Sequence, residues 1–108
     1  MLMELNKVVE ESVEIRNAYH TLEEKYHGRK WNVQEDALAM STDVGLISRL
    51  IMDEANIWPT KKDDINNLEY KIGEAVWWLA VISDKSEIDF NKAVEGFIKK
   101  KQKDFNIK

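Results

Sequence analysis

Apolar residues return every three or four positions along most of the chain, and no stretch alternates as a half-buried strand would. Over residues 3–27, Leu5, Val8, Ser12, Ile15, Tyr19, Leu22 and Tyr26 fall at three-four spacing, which predicts a helix with a seam for packing another helix. Gly28 is placed to stop it. Asn32 opens a second helix as its N-cap, with Glu35 three residues on completing a capping-box pattern. This helix runs to Ala55, and Val33, Ala37, Met40, Val44, Ile47 and Ile51 form its predicted inward stripe. The segment NIWPTKKDD (56–64) connects it to a third helix ending near Ser83, with Leu68, Ile72, Ala75, Leu79 and Ile82 inward. Asp89 caps a fourth helix carrying Phe90, Ala93 or Val94, Phe97 and Ile98, and Ile88 is placed to staple onto its first turn. The pattern predicts one all-α domain over residues 1–108, an antiparallel four-helix bundle with no internal repeat.

At 108 residues one hydrophobic core is within reach and two are not. The absence of cysteine excludes disulfides, thiolate metal sites and thiol nucleophiles. The longest apolar run, AVWWLAVI (75–82), is too short to span a bilayer, and MLMELNKVVEES has no signal-peptide pattern, so a cytoplasmic protein with no membrane partner is expected. The net charge of −4 is uneven, with the basic excess gathered in KKKQKDFNIK (99–108). Cations at that position suit the end of a helix, and no basic face elsewhere supports a nucleic-acid partner. The stripes on the first three helices are wide, and Trp77 and Trp78 cannot both face one stripe. Aromatic surface left over in this way marks an interface, so a homo-oligomer, most simply a dimer, is expected.

The stretch KIGEAVWWLA (71–80) sets Lys71 and Glu74 one turn apart, directly before the two tryptophans. Charged groups here read as a metal site, a salt bridge or a solvated edge. Together with STDVGLISRL (41–50), the longer stretch LEYKIGEAVWWLAVISDKSEIDFNKA (68–93) resembles the MazG-like all-α nucleoside triphosphate pyrophosphohydrolases. The similarity spans about residues 31–100, and Ile72, Gly73, Ala75 to Leu79 and Ile88-Asp89 follow the family's context closely.

The resemblance implies magnesium-dependent hydrolysis of a nucleoside triphosphate to monophosphate and pyrophosphate. In that family a Glu-Glu-x-x-Glu helix and a Glu-x-x-Asp helix face one cleft and hold the ions that grip the triphosphate. Carried over, the first motif falls on Thr42, Asp43 and Leu46, and the second on Lys71 and Glu74. Asp43 and Glu74 alone remain acidic there, and Lys71 brings the formal charge of those positions to −1. Two carboxylates ~5 Å apart repel by about 3 kcal/mol at an effective dielectric of ~20, which is why the family's crowded acids need divalent ions. Here an ammonium can supply the cation. Two readings stand: a metal site on Asp43 and Glu74 with Asp36, two turns earlier, as a further ligand; or a metal-free cleft in which Lys71 is salt-bridged to Asp43 or Glu74. The second is favoured for the cleft; the function implied by the resemblance is the nucleotide pyrophosphohydrolase, and the alternative is a non-catalytic nucleotide-binding or helical interaction protein that has lost the metal site.

Trp31, just before the second helix, is a candidate to stack on a base, against the commoner role of covering the end of a core. His20 and His27, seven apart with Glu23 and Glu24 between them, read as surface histidines beside acids rather than as a zinc site. Ser41, Thr42 and Ser48 have no histidine nearby in sequence to act as a base. Met40 and Met52 read as core filler.

Overall fold

A computed structural model describes residues 3–107; Met1, Leu2 and Lys108, at the ends of the two terminal segments read above, lie outside the described residues. The described residues form four helices and no strand: α1 (Leu5–His27), α2 (Val33–Glu54), α3 (Leu68–Lys85) and α4 (Phe90–Asp104). None is long and apolar enough to cross a membrane.

Local chemistry sets the boundaries. Gly28 ends α1 in the left-handed region at φ 81°, where its N–H donates to the Glu24 carbonyl. Asn32 and Glu35 form a reciprocal capping box: the Asn32 side chain accepts from Glu35 N at 2.9 Å, and Glu35 Oε1 accepts from Asn32 N at 3.0 Å. Arg29 reinforces it with two bonds to the Glu35 carboxylate, at 2.6 and 2.8 Å. Asn67 caps α3 by accepting from Tyr70 N, and Asp89 caps α4 by accepting from Lys92 N. Ile88 is exposed.

α3 is the central element. It packs against α2, α1 and α4, and α4 also touches α1, whereas the backbones of α1 and α2 do not come together. Asp36, near the start of α2, meets Lys85 at the end of α3, while Asp43 meets Lys71 near the start of α3.

The predicted apolar stripes are buried only in part: Leu5, Val8, Val33, Met40, Ile47, Leu68, Ala75, Ile82, Phe90 and Val94 are half-buried and Ser12 is buried, while other stripe positions face outward. On α1 the buried positions are Ser12, Arg16 and His20, and the later seam residues Ile15, Tyr19, Leu22 and Tyr26 are exposed. On α2 Asp36 and Leu50 are buried, while Val44 and Ile51 of the expected stripe face outward. On α3 Lys71, Trp78, Ala80 and Val81 are buried, and Ile72 and Leu79 are exposed. α4 has no buried residue, and Phe97 and Ile98 are exposed. The cause is shared. Charged side chains that pair with one another share the seams between helices with Leu50, Trp78, Ala80 and Val81, which leaves part of each apolar stripe outside.

Candidate functional site

The two motif helices meet where the sequence predicts a cleft. Asn67 fixes the start of α3, which places Lys71 in its first turns beside the middle of α2. Lys71 Nζ lies 3.0 Å from Glu74 Oε1 and 3.7 Å from Asp43 Oδ1, with the residue only 9% exposed. Trp78 Nε1 donates to the other Asp43 oxygen at 2.8 Å. Burial opposes the Lys71 charge, but the bond to Glu74 and the fields of Glu74 and Asp43 outweigh it and raise the ammonium above its ordinary range. Thr42 is exposed on the outside of α2 and Leu46 is half-buried.

Asp36 is not part of this cluster. It is fully buried, and both of its oxygens are taken: Arg16 Nη2 donates to Oδ1 at 2.7 Å, and Lys85 donates to Oδ2. Arg16 also donates from Nη1 to Glu23 Oε2 at 2.7 Å. Glu23 Oε1 in turn lies 2.8 Å from His20 Nδ1 and accepts from Trp31 N at 2.8 Å. Burial alone lifts the Glu23 pKa, yet the Trp31 N–H, Arg16 and His20 reverse this and hold it below 4.5. For Arg16, burial works against the charge, but Asp36 and Glu23 prevail and raise its pKa. Its Nε is buried without a partner. Among the described residues no group of three or more His, Cys, Asp or Glu side chains is placed to share an ion. His20 is engaged by Glu23, and His27 sits apart on the rim of the pocket described next.

Beside these charges α1, α2, α3 and the loop before α2 line an open pocket of about 380 Å³. Tyr19, Tyr26, Trp31, Trp77 and Trp78 are its aromatic lining, with Arg16, Glu23, His27 and Glu74 as its polar groups. Trp77 is held by a bond from Nε1 to the Ser12 carbonyl at 3.2 Å, and its ring lies 4.6 Å from that of Trp78 and 5.8 Å from that of Tyr19. Trp31 is fixed from three directions: its N–H by Glu23, its carbonyl by Lys85 at 3.3 Å, and its ring by the Arg16 guanidinium at 5.8 Å. Arg16 packs in the same way on Trp78, at 5.7 Å. Glu74 and Trp78 belong both to the pocket wall and to the Lys71 cluster, so the two form one continuous site.

Of the residues singled out from sequence, Asp43, Lys71 and Glu74 come together, Trp31 lines the adjoining pocket, and Asp36 is committed to Arg16 and Lys85. Arg16, Glu23 and Lys85 were not singled out. A signal exists for the first two, though not for Lys85: Arg16, His20 and Glu23 form a polar stripe at helical spacing beside the apolar seam of α1. Hydrophobic periodicity assigns such a stripe to solvent unless its opposite charges are paired. No family model, curated protein or solved structure matches the chain.

Proposed function

We propose that the chain is an antiparallel MazG-like helical bundle, assembled as a dimer, that binds a nucleotide without magnesium-dependent hydrolysis. The observation that carries this reading is the Lys71 ammonium between Asp43 and Glu74. Magnesium does not suit that donor set, since an octahedral ion would find two carboxylates and an ammonium already neutralising them. The order of the α2–α3 ion pairs, Asp36 with Lys85 and Asp43 with Lys71, supports the antiparallel arrangement. The aromatic pocket supports the ligand class. A flat ring in contact with Trp31 and Trp77 gains on the order of 1–3 kcal/mol per stacked base. The cytoplasm, where nucleotides abound, is the compartment that fits.

Calorimetric titration with magnesium, alone and with a panel of nucleoside triphosphates, tests the reading. Magnesium alone should give no binding heat. At least one nucleotide should bind with the same affinity in EDTA as in magnesium, and Trp31→Ala should weaken it at least tenfold. No pyrophosphate should be released. Magnesium-stimulated pyrophosphate release that Asp43→Asn or Glu74→Gln abolishes would refute the proposal and make the chain a hydrolase.

A further inference from the structure

Seven tryptophans and tyrosines lie in the chain, and four of them already carry a cation of their own. Arg16 sits over Trp31 and Trp78 at 5.8 and 5.7 Å, Arg49 over Trp58 at 5.2 Å, and Lys25 over Tyr26 at 5.3 Å. Among the described residues Tyr19, Tyr70 and Trp77 have no such partner, and all three line one open hollow of about 460 Å³ between α1 and α3. Helical spacing gathers its wall: Glu69, Tyr70, Gly73, Glu74 and Trp77 share a face of α3, and Tyr19 comes from α1. Trp77 is fixed by its bond to the Ser12 carbonyl, and the Tyr19 ring stands 5.8 Å from it at 56°, so the two rings make a corner. A Cβ on Gly73 would meet nothing within 4 Å, which leaves the hollow open down to the helix backbone. Both charged groups of the hollow are carboxylates, and no lysine, arginine or histidine lines it. Among the described residues Glu69 pairs with no cation, and Glu74 meets Lys71 through Oε1 alone, which leaves Oε2 without a protein partner.

We propose that this hollow binds a small soluble molecule carrying a quaternary ammonium group of the choline type. The faces of the three rings are negative, and two carboxylates stand beside them, so the hollow attracts a cation that the chain itself does not supply. The alkyl surface of the cation decides the class. A lysine-type ammonium is compact and strongly hydrated, whereas a quaternary one has no N–H to leave unsatisfied and carries methyl groups that fit against the rings. A bare metal ion finds aromatic carbon where it needs oxygen ligands. A neutral apolar molecule gains nothing from the acids, and the phosphates of a nucleotide are repelled by them. The inference goes beyond the nucleotide reading and does not depend on it, because Glu69, Tyr70 and Gly73 lie outside the pocket that Trp31 lines.

Calorimetric titration with choline chloride at constant ionic strength tests this, beside the neutral alcohol of the same shape in which carbon replaces the nitrogen. Choline should bind at least about tenfold more tightly than that isostere. Tyr70→Leu and Glu69→Gln, both at exposed positions, should each weaken choline by at least about threefold. Gly73→Leu favours the helix and fills the hollow, so it should abolish choline binding while helical circular dichroism is retained. If a variant fails to fold, the comparison of choline with its isostere on the wild type still decides. No choline binding up to about 50 mM, equal binding of the isostere, or a folded Gly73→Leu that keeps the wild-type affinity overturns the proposal. Sedimentation with phosphatidylcholine vesicles separates the free molecule from a lipid head group: none is expected, and sedimentation that Gly73→Leu removes would overturn the soluble source. Choline binding without nucleotide binding would sink the nucleotide reading and leave this one standing, and nucleotide binding without choline binding would do the reverse.

Discussion

Replacing Lys71 by methionine keeps the length and helix propensity of the side chain and removes its charge. The lysine side chain is 10% exposed, and its partners Glu74 and Asp43 are 22% and 25% exposed. At an effective dielectric of ~20 the two contacts are worth about 5 and about 4 kcal/mol before desolvation is subtracted. Most of that is offset by the cost of burying the ammonium. What the substitution leaves behind is two carboxylates, partly wet, repelling each other with no cation between them. Orphaning one partner of a fully buried pair costs about 3–5 kcal/mol. Water at both acids, and the Trp78 donor that Asp43 keeps, bring the expected loss to about 2 kcal/mol. For a domain near this size that lowers Tm by roughly 10 °C. Thermal melts in EDTA, at one protein concentration, measure it. Lys71→Glu should melt lower still in EDTA, because three carboxylates then share the cleft. Magnesium at ten times its Kd should return about 1.4 kcal/mol to that variant and nothing to Lys71→Met. A Tm shift under about 2 °C for Lys71→Met would refute the argument, since it would mean that the ammonium is hydrated and the acids do not need it.

Arg16→Met should cost more than Lys71→Met, about 3–5 kcal/mol, because Asp36 is fully buried and loses one of its two cations; urea denaturation monitored by tryptophan fluorescence checks the ranking, and an equal or smaller loss contradicts it. Acid should destabilise the protein through Glu23, whose folded pKa is lowered, and Glu35, which the Arg29 bonds and the Asn32 N–H hold at about 2. The stability from a depressed carboxylate is present above its unfolded value near 4.5 and is lost as pH falls, so urea midpoints should drop between about pH 5 and pH 2, and Glu23→Gln should flatten that slope. Lys71 has the opposite sign: its raised pKa gives stability below about 10.5 that is lost as pH rises through the folded value, and Lys71→Met should lack this alkaline loss.

The elements of the fold were legible because their ends are written in short-range chemistry. Asn32 with Glu35, Asp89 and Gly28 each act within a few residues, and each does in the structure what its position predicts. Which way each helix faces was much less legible. Counting apolar residues assigns Ile15, Val44 and Ile72 to the inside, and the structure leaves all three exposed while it buries Arg16, Asp36 and Lys71. A charge is buried only when its partner arrives from another helix, and single-sequence periodicity has no access to that partner. The meeting of Lys71 with Asp43 and Glu74 came not from periodicity but from setting the stretches 41–50 and 68–93 side by side, which put these three residues in one cluster. Nothing comparable pointed to Glu23 and Lys85 around Trp31.

The absence of backbone contact between α1 and α2 has a consequence for the order in which the chain assembles. Lys71 and Asp43 are 28 positions apart, so α2 and α3 meet across residues 55–67, whereas Ser12 and Trp77 must find each other across 65. Loop-closure entropy favours the nearer pairing, which makes the α2–α3 pair the early structure and α1 the late arrival. On this order the Arg16–Asp36 contact, which ties α1 to α2, forms late. Weakening that contact therefore leaves the folding rate nearly untouched and speeds unfolding, so the lifetime of the native state is set by how long α1 stays latched.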